Sequence, residues 1–511
     1  MSDSPPEKPD DLNTPETLPA LPPRVPTGLP GLDRILGGGL FQAGIYLIAG
    51  PPGSGKTILA NQLCFYHVAA GGRAMYITLL AESHARMLGH LQTFSFFSAD
   101  AVGQTLKYIN GFKAIENEGL AGLLQLLRGA VREHRATLLV LDGMMTASVL
   151  ARSGTDYKKF INELQTWAGM YGCTVLFLTS ADLDGAGQPE HTMVDGICEL
   201  GLERLDMKTM RKLTVHKFRG SGFAEGGHTY VITRDGLVIY PRLESLPLSQ
   251  LPERANGKRL GTGIAALDRL MGGGLAYSST TLFLGSSGSG KTIFGLHFLA
   301  AGAQAGEPGL LFGFFENPAE VIHKANRLGL GLDTLCERGD VTILWQPAAE
   351  QLLDALGERL LRTVRERGIK RLFIDGLVGF KEADHSGRLA GYFAVLAAEL
   401  AVLGVTTIIT EETRELFVRE IQVPTPGVSA IFQNIIFFRQ VEVEAELLRL
   451  LSVMKTRDSA HARALYQFDI TDHGIEIGLP FQPSRNVLTG VSQLLAEGPP
   501  MSTGGKHEGE R

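Results

Sequence analysis

The sequence predicts an α/β protein of two tandem domains, each a mostly parallel β-sheet flanked by helices. Three observations carry that prediction. The chain contains a long internal repeat. Each half opens with a glycine-rich loop set between an apolar strand and a helix. Short β-rich runs such as IYLIA (45–49), AMYIT (74–78), TLLVL (137–141) and VLFLT (175–179) then alternate with longer helical stretches, the pattern of βαβ units. At 511 residues the chain has room for two to four folded units of roughly 150 residues each.

The repeat fixes the organisation. TGLPGLDRILGGGL at 27–40 returns as TGIAALDRLMGGGL at 262–275, and GPPGSGKT at 50–57 returns as GSSGSGKT at 285–292. LVLDG at 139–143 matches FIDG at 373–376, and ITRDG at 232–236 matches ITDHG at 470–474. The spacing between copies drifts by only a few residues from one end of the domain to the other. That marks duplication of a whole domain rather than a short solenoid repeat. We place the domains at 21–250 and 251–485, joined by the polar, proline-containing stretch 244–260. The acidic, proline-rich arm 1–20 and the tail 486–511 read as disordered.

Composition narrows the function classes. With 44% hydrophobic residues the chain can build large cores, and its four scattered cysteines (Cys64, Cys173, Cys198, Cys336) share no CxxC spacing. They read as reduced thiols of a cytoplasmic protein rather than a disulfide or metal framework. The N-terminal arm has the features of neither a signal peptide nor a transit peptide. A net charge of −6 argues against a protein built to coat nucleic acid. The 22-residue run Leu389–Thr410 carries one charge, Glu399, and is long enough to span a bilayer. However, Gly404 interrupts it, a β-branched stretch follows, and its counterpart in the first half is a polar amphipathic segment. We therefore expect a helix leading into a buried strand, and no membrane partner. Trp167 and Trp345 read as core aromatics, and the histidines lack metal-ligand spacing.

The phosphate chemistry is the sharpest signal. Both G-x-x-x-x-G-K-T segments follow an apolar strand and precede a helix. Gly50, Gly53, Ser54 and Gly55, and Gly285, Gly288, Ser289 and Gly290, would curl backbone N–H groups around phosphate oxygens, with the helix dipole behind them. Lys56 and Lys291 would reach the β/γ-phosphates, and the hydroxyls of Thr57 and Thr292 would ligate Mg²⁺. Asp142 and Asp375 each end an apolar strand, where a carboxylate completes the Mg²⁺ site.

With these residues in place the chain resembles the KaiC family of double-domain ATPases over essentially all of 21–485. The resemblance implies RecA-like cores, ATP with Mg²⁺, and a homo-hexameric ring with nucleotide between subunits, working with an unidentified regulatory protein. It also implies roles for further residues. The family's adjacent glutamates after the second strand correspond to Ala81-Glu82 and Phe315-Glu316, so Glu82 and Glu316 are the candidate bases. The alternative for each is a helix N-terminal acid favoured by the macrodipole. The family's Lys-x-Arg, which faces a neighbour's ATP, corresponds to Lys217 with Arg219 and Lys455 with Arg457, a solvated basic face being the alternative. The family's paired phosphate acceptors correspond to Ser429 and Ala430. Alanine cannot be phosphorylated, so a two-site cycle is impossible and Ser429 is the single candidate acceptor, or merely a loop residue. Two other functions stay open: a RecA-like nucleic-acid motor or strand-exchange module, and a scaffold gated by nucleotide.

Overall fold

The computed structural model describes residues 23–80, 84–180, 189–205, 208–247, 257–347, 351–413, 431–443, 446–457, 461–472 and 474–481. The candidate residues Glu82 and Ser429, the arm 1–20 and the tail 486–511 lie outside the described residues. The chain divides into two compact units between Leu246 and Pro247.

In the first unit, strands β1 (Ile45–Ala49), β2 (Ala74–Thr78), β3 (Leu106–Asn110), β4 (Leu138–Asp142), β5 (Thr174–Thr179), β6 (Gly196–Leu205), β7 (Lys208–Phe218), β8 (Gly227–Thr233) and β9 (Gly236–Tyr240) form one sheet. Its order is β9-β8-β7-β6-β1-β5-β4-β2-β3. The strands from β6 to β3 pair in parallel, and β6 to β9 continue as an antiparallel meander. Every residue of β1 is buried, as expected for a strand covered on both faces. Alternation sends Tyr46 and Ile48 to one side, against Leu59, Leu63 and Phe65 of α1 (Lys56–Ala69). Ile45 and Leu47 go to the other, against Leu123 and Leu127 of α2 (Phe112–His134) and Phe160 and Leu164 of α3 (Gly154–Tyr171).

The second unit repeats this strand for strand. Its strands are β10 (Thr280–Gly285), β11 (Gly309–Gly313), β12 (Val341–Trp345), β13 (Arg371–Asp375), β14 (Thr406–Glu412), β15 (Asn434–Val443), β16 (Glu446–Thr456), β17 (Tyr466–Thr471) and β18 (Gly474–Pro480). They lie in the order β18-β17-β16-β15-β10-β14-β13-β11-β12. Helix α4 (Lys291–Gln304) follows the glycine loop and packs Phe294, Phe298 and Leu299 into an aromatic-rich core with Phe283, Phe373 and Phe438.

The duplicated TG-x-x-x-LD segment has a structural explanation. Thr27 donates its backbone N–H and its hydroxyl to Asp33 Oδ1 at 2.9 and 2.8 Å. Thr262 does the same to Asp268, with both distances 2.8 Å. Each clip fixes the loop ahead of the sheet. Gly28 (φ +77°) lies so close to α1 that a Cβ there would fall 2.0 Å from the Tyr66 ring, which only glycine allows.

The apolar run resolves as the sequence predicts. It forms a helix, α7 (Leu389–Val402), turns at Gly404 with φ +74°, and enters the buried strand β14. Glu399, buried on α7, lies 3.5 Å from Arg365. Among the described residues no helix is long and apolar enough to cross a membrane. Trp167 is in the core at 4% exposure, but Trp345 is 39% exposed, which corrects the expectation that both are core residues. Trp345 ends the edge strand β12. Among the described residues no strand pairs with its outer edge, and its indole N–H donates to the Phe314 carbonyl at 3.2 Å.

Candidate active site

The glycine loops sit where β1 and β10 end and α1 and α4 begin. Gly55 and Gly290 cap the two helices at φ +101° and +96°, a conformation that disfavours any side chain. Gly50 and Gly285 press against the neighbouring strands. A Cβ on either would meet a carbonyl oxygen, that of Leu200 or Phe438, at 2.3 Å. Gly53 and Gly288 also take positive φ, at +80° and +71°. Ser54 and Ser289 are buried beneath the loops, and the Tyr230 hydroxyl donates to the Ser54 carbonyl at 2.6 Å.

Both lysines fold over their own loops. Lys56 Nζ donates to the carbonyls of Gly50 and Pro51 at 2.7 and 3.0 Å. Lys291 Nζ donates to those of Gly285 and Ser286 at 2.9 and 2.7 Å. Burial pushes both ammonium groups below the usual lysine value. Asp142 opposes the shift at Lys56, and Glu412 followed by Asp375 opposes it at Lys291.

The strand-end aspartates meet the helix-start threonines. Thr292 donates its hydroxyl to Asp375 Oδ2 at 2.9 Å, and Thr410 donates to Oδ1 at 2.8 Å. In the first unit Tyr76 donates to Asp142 Oδ2 at 2.5 Å. Burial raises both carboxyls above the usual range. The hydroxyls of Tyr76 and Thr57 and the charge of Lys56 oppose it at Asp142. Thr410, Thr292 and Lys291 oppose it at Asp375, where the charge of Glu316 adds to it. The two aspartates thus draw on different neighbours. Tyr76 comes from β2 on one side of β4, and Thr410 from β14 on the other side of β13. A hydroxyl and a carboxylate brought together offer two hard oxygen donors, which suits a Mg²⁺ that completes its shell with water and phosphate.

In the first unit these groups line a cavity of about 810 Å³. Lys56, Thr57 and Asp142 form one wall, and Phe112, Met145 and Val149 an apolar one. The size suits a nucleotide-sized ligand. Met145 and Val149 are 51% and 75% exposed, an apolar rim beside the loop.

Glu316 sits past the end of β11, ahead of α5 (Pro318–Arg327), which Asn317 caps by accepting from Glu320 N at 3.0 Å. Both Glu316 carboxylate oxygens accept from Lys324 of that helix, Oε2 at 2.7 Å. In the first unit Lys217 and Arg219 reach the same carbonyl. Lys217 Nζ donates to the carbonyls of His191 and Thr192 at 3.1 and 3.0 Å, and Arg219 donates to that of Thr192 at 2.9 Å. Neither is among the residues lining the first unit's cavity. A bulge lies just ahead of each lysine. The β6–β7 register shifts between Ile197 and Cys198, just ahead of Lys217, and the β15–β16 register shifts between Ile435 and Ile436, just ahead of Lys455. Sequence reasoning missed these bulges, because an extra residue in a strand leaves no fixed mark on its composition.

The family model "ATPase: KaiC" matches residues 25–244 and again 260–480. The chain belongs to the KaiC ATPase family. Among curated relatives, the circadian clock oscillator protein KaiC of Picosynechococcus sp. is 24% identical over 494 residues, covering 93% of each chain. That of Thermostichus vulcanus is 25% identical, covering 93% of this chain and 92% of its own. That of Rippkaea orientalis is 24% identical, covering 91% of each. This KaiC-family chain therefore parallels its relatives in both halves, and its two sheets carry the tandem RecA-like architecture.

Proposed function

We propose that both halves of this chain bind and hydrolyse Mg-ATP, and that the chain assembles through its nucleotides into a homo-hexameric ring that serves as a regulatory ATPase. The observation that carries this is the paired apex. Each half sets a P-loop lysine, a helix-start threonine and a strand-end aspartate at the same corner of the same sheet. In this reading the loop amides, Lys56 and Lys291 hold the β/γ-phosphates. Thr57 with Asp142, and Thr292 with Asp375, hold the Mg²⁺, which neutralises charge on the phosphate oxygens. Glu82 and Glu316 are the proposed bases for the attacking water, and Glu316 acts once Lys324 releases it.

Lys217 with Arg219, and Lys455 with Arg457, are proposed to complete a neighbour's site. Two features favour this: the first pair does not line its own unit's cavity, and the apolar rim of Met145 and Val149 is exposed beside the loop. The relatives are named as clock oscillator proteins, which favours a regulatory over a metabolic role. Ser429 is the proposed single phosphate acceptor of the second half, with hydrolysis to water outrunning transfer. Intact mass after long incubation with Mg-ATP tests that part. At most one phosphate per chain is expected, and one that persists in Ser429→Ala overturns the assignment. The whole reading is tested by phosphate release from Lys56→Ala and Lys291→Ala, with the oligomer sized alongside. Each variant is expected to lose part of the release. A variant that loses none would remove its half from the ATPase.

A further inference from the structure

The second half differs from the first beside the P-loop, where strand β14 ends in two acids, Glu411 and Glu412. Strand register gives the equivalence. Ala49 lies opposite Thr179 in the first unit, and Leu284 opposite Glu411 in the second. Glu412, opposite Gly285, therefore stands where the first unit has Ser180. Ser180 lines the first unit's cavity together with Lys56 and Asp142. A short neutral hydroxyl in one half is replaced by a longer carboxylate in the other.

The two acids are not alike. Glu411 is buried and its carboxylate is taken by Lys381 of α6 (Val378–Ala383). Glu412 is exposed, and alternation along the strand puts it on the side of Thr410, whose hydroxyl bonds Asp375. The chain just past Glu412 is fastened to the P-loop. Thr413 N–H donates to the Gly285 carbonyl at 3.1 Å, the same carbonyl that accepts from Lys291 Nζ at 2.9 Å. Glu316, meanwhile, has both oxygens engaged by Lys324.

We propose that Glu412 is a second catalytic carboxylate of the second nucleotide site, which orients the water that attacks the γ-phosphate of ATP held by Lys291 and takes its proton while Glu316 is held by Lys324. The inference rests on the reading of that half as an ATPase site. In the step, the water oxygen bonds to the γ-phosphorus and the bond from that phosphorus to the β–γ bridging oxygen breaks. The electron pair leaves with ADP, and the proton of the water passes by way of the carboxylate to solvent. Glu412 is present while Glu316 is tied to Lys324, so the second half has a water-orienting carboxylate that the first lacks at this position.

The test uses the full chain. Phosphate release lost in Lys291→Ala defines the second half's share. Glu412→Gln is expected to remove at least about nine-tenths of that share, in keeping with the 10²–10⁴ that a positioned base typically supplies, through kcat rather than KM. Glu412→Asp should restore part of it, and both variants should still bind two ATP per chain. Retention of more than half of the share in Glu412→Gln overturns the proposal. So does loss of one bound ATP, which would make Glu412 a binding group. If Lys291→Ala itself loses no release, the reading of the second half as an ATPase fails first, and this proposal with it.

Discussion

Asp142 and Asp375 lie where a buried carboxylate is costly before any cation arrives. Burial is the largest influence on each, and it holds their folded-state values above the ordinary one. A group whose folded value is raised binds its proton more tightly in the folded chain. Its stabilising contribution is therefore full at low pH and is lost as pH rises from the ordinary carboxylate range through the raised value. We expect Asp142→Asn and Asp375→Asn to raise the thermal midpoint of the nucleotide-free chain at neutral pH, with the gain shrinking towards pH ~4. The same variants should lose Mg²⁺-dependent phosphate release. Thermal unfolding across pH checks the first part, and a lowered midpoint at pH 7 would contradict it. The aspartates themselves were legible, since a strand-end Asp-Gly recurs at the spacing of the P-loops. Their partners were not. Tyr76 and Thr410 are ordinary strand residues until the strand order brings β2 beside β4 and β14 beside β13.

Elements position these residues by close packing rather than by local propensity. Gly295 lets α4, which carries Lys291 and Thr292, lie directly on β13, which carries Asp375. A Cβ at Gly295 would fall 2.2–2.4 Å from the ring atoms of Phe373, itself fully buried. Gly295→Ala should cost about 1–3 kcal/mol through overpacking and separate the P-loop helix from the aspartate strand. The expected result is a lower unfolding midpoint for the second unit and weaker ATP binding there, read by calorimetry and nucleotide titration. The elements themselves could be read from the sequence where period and punctuation agreed. The run Leu389–Thr410 divides at Gly404 for that reason. They could not be read where geometry depends on a neighbour, as at the two bulges ahead of Lys217 and Lys455 or the edge position of Trp345.

Across the whole molecule, duplication is the main fact, and its proposed purpose is two nucleotide sites on one chain. If Arg219 and Arg457 complete a neighbour's site, Arg219→Ala and Arg457→Ala should each lower turnover at the matching site by about 10³-fold or more, the usual effect of removing such a residue. Light scattering in saturating Mg-ATP should show an assembly, and a monomer there would remove both arginines from the chemistry. The most direct measurement is the stoichiometry of bound ATP, by equilibrium dialysis of the wild-type chain, Lys56→Ala, Lys291→Ala and the double variant. Two ATP per chain are expected for the wild type, one for each single variant and none for the double. One ATP per wild-type chain, or a single variant that still binds two, would contradict the two-site reading.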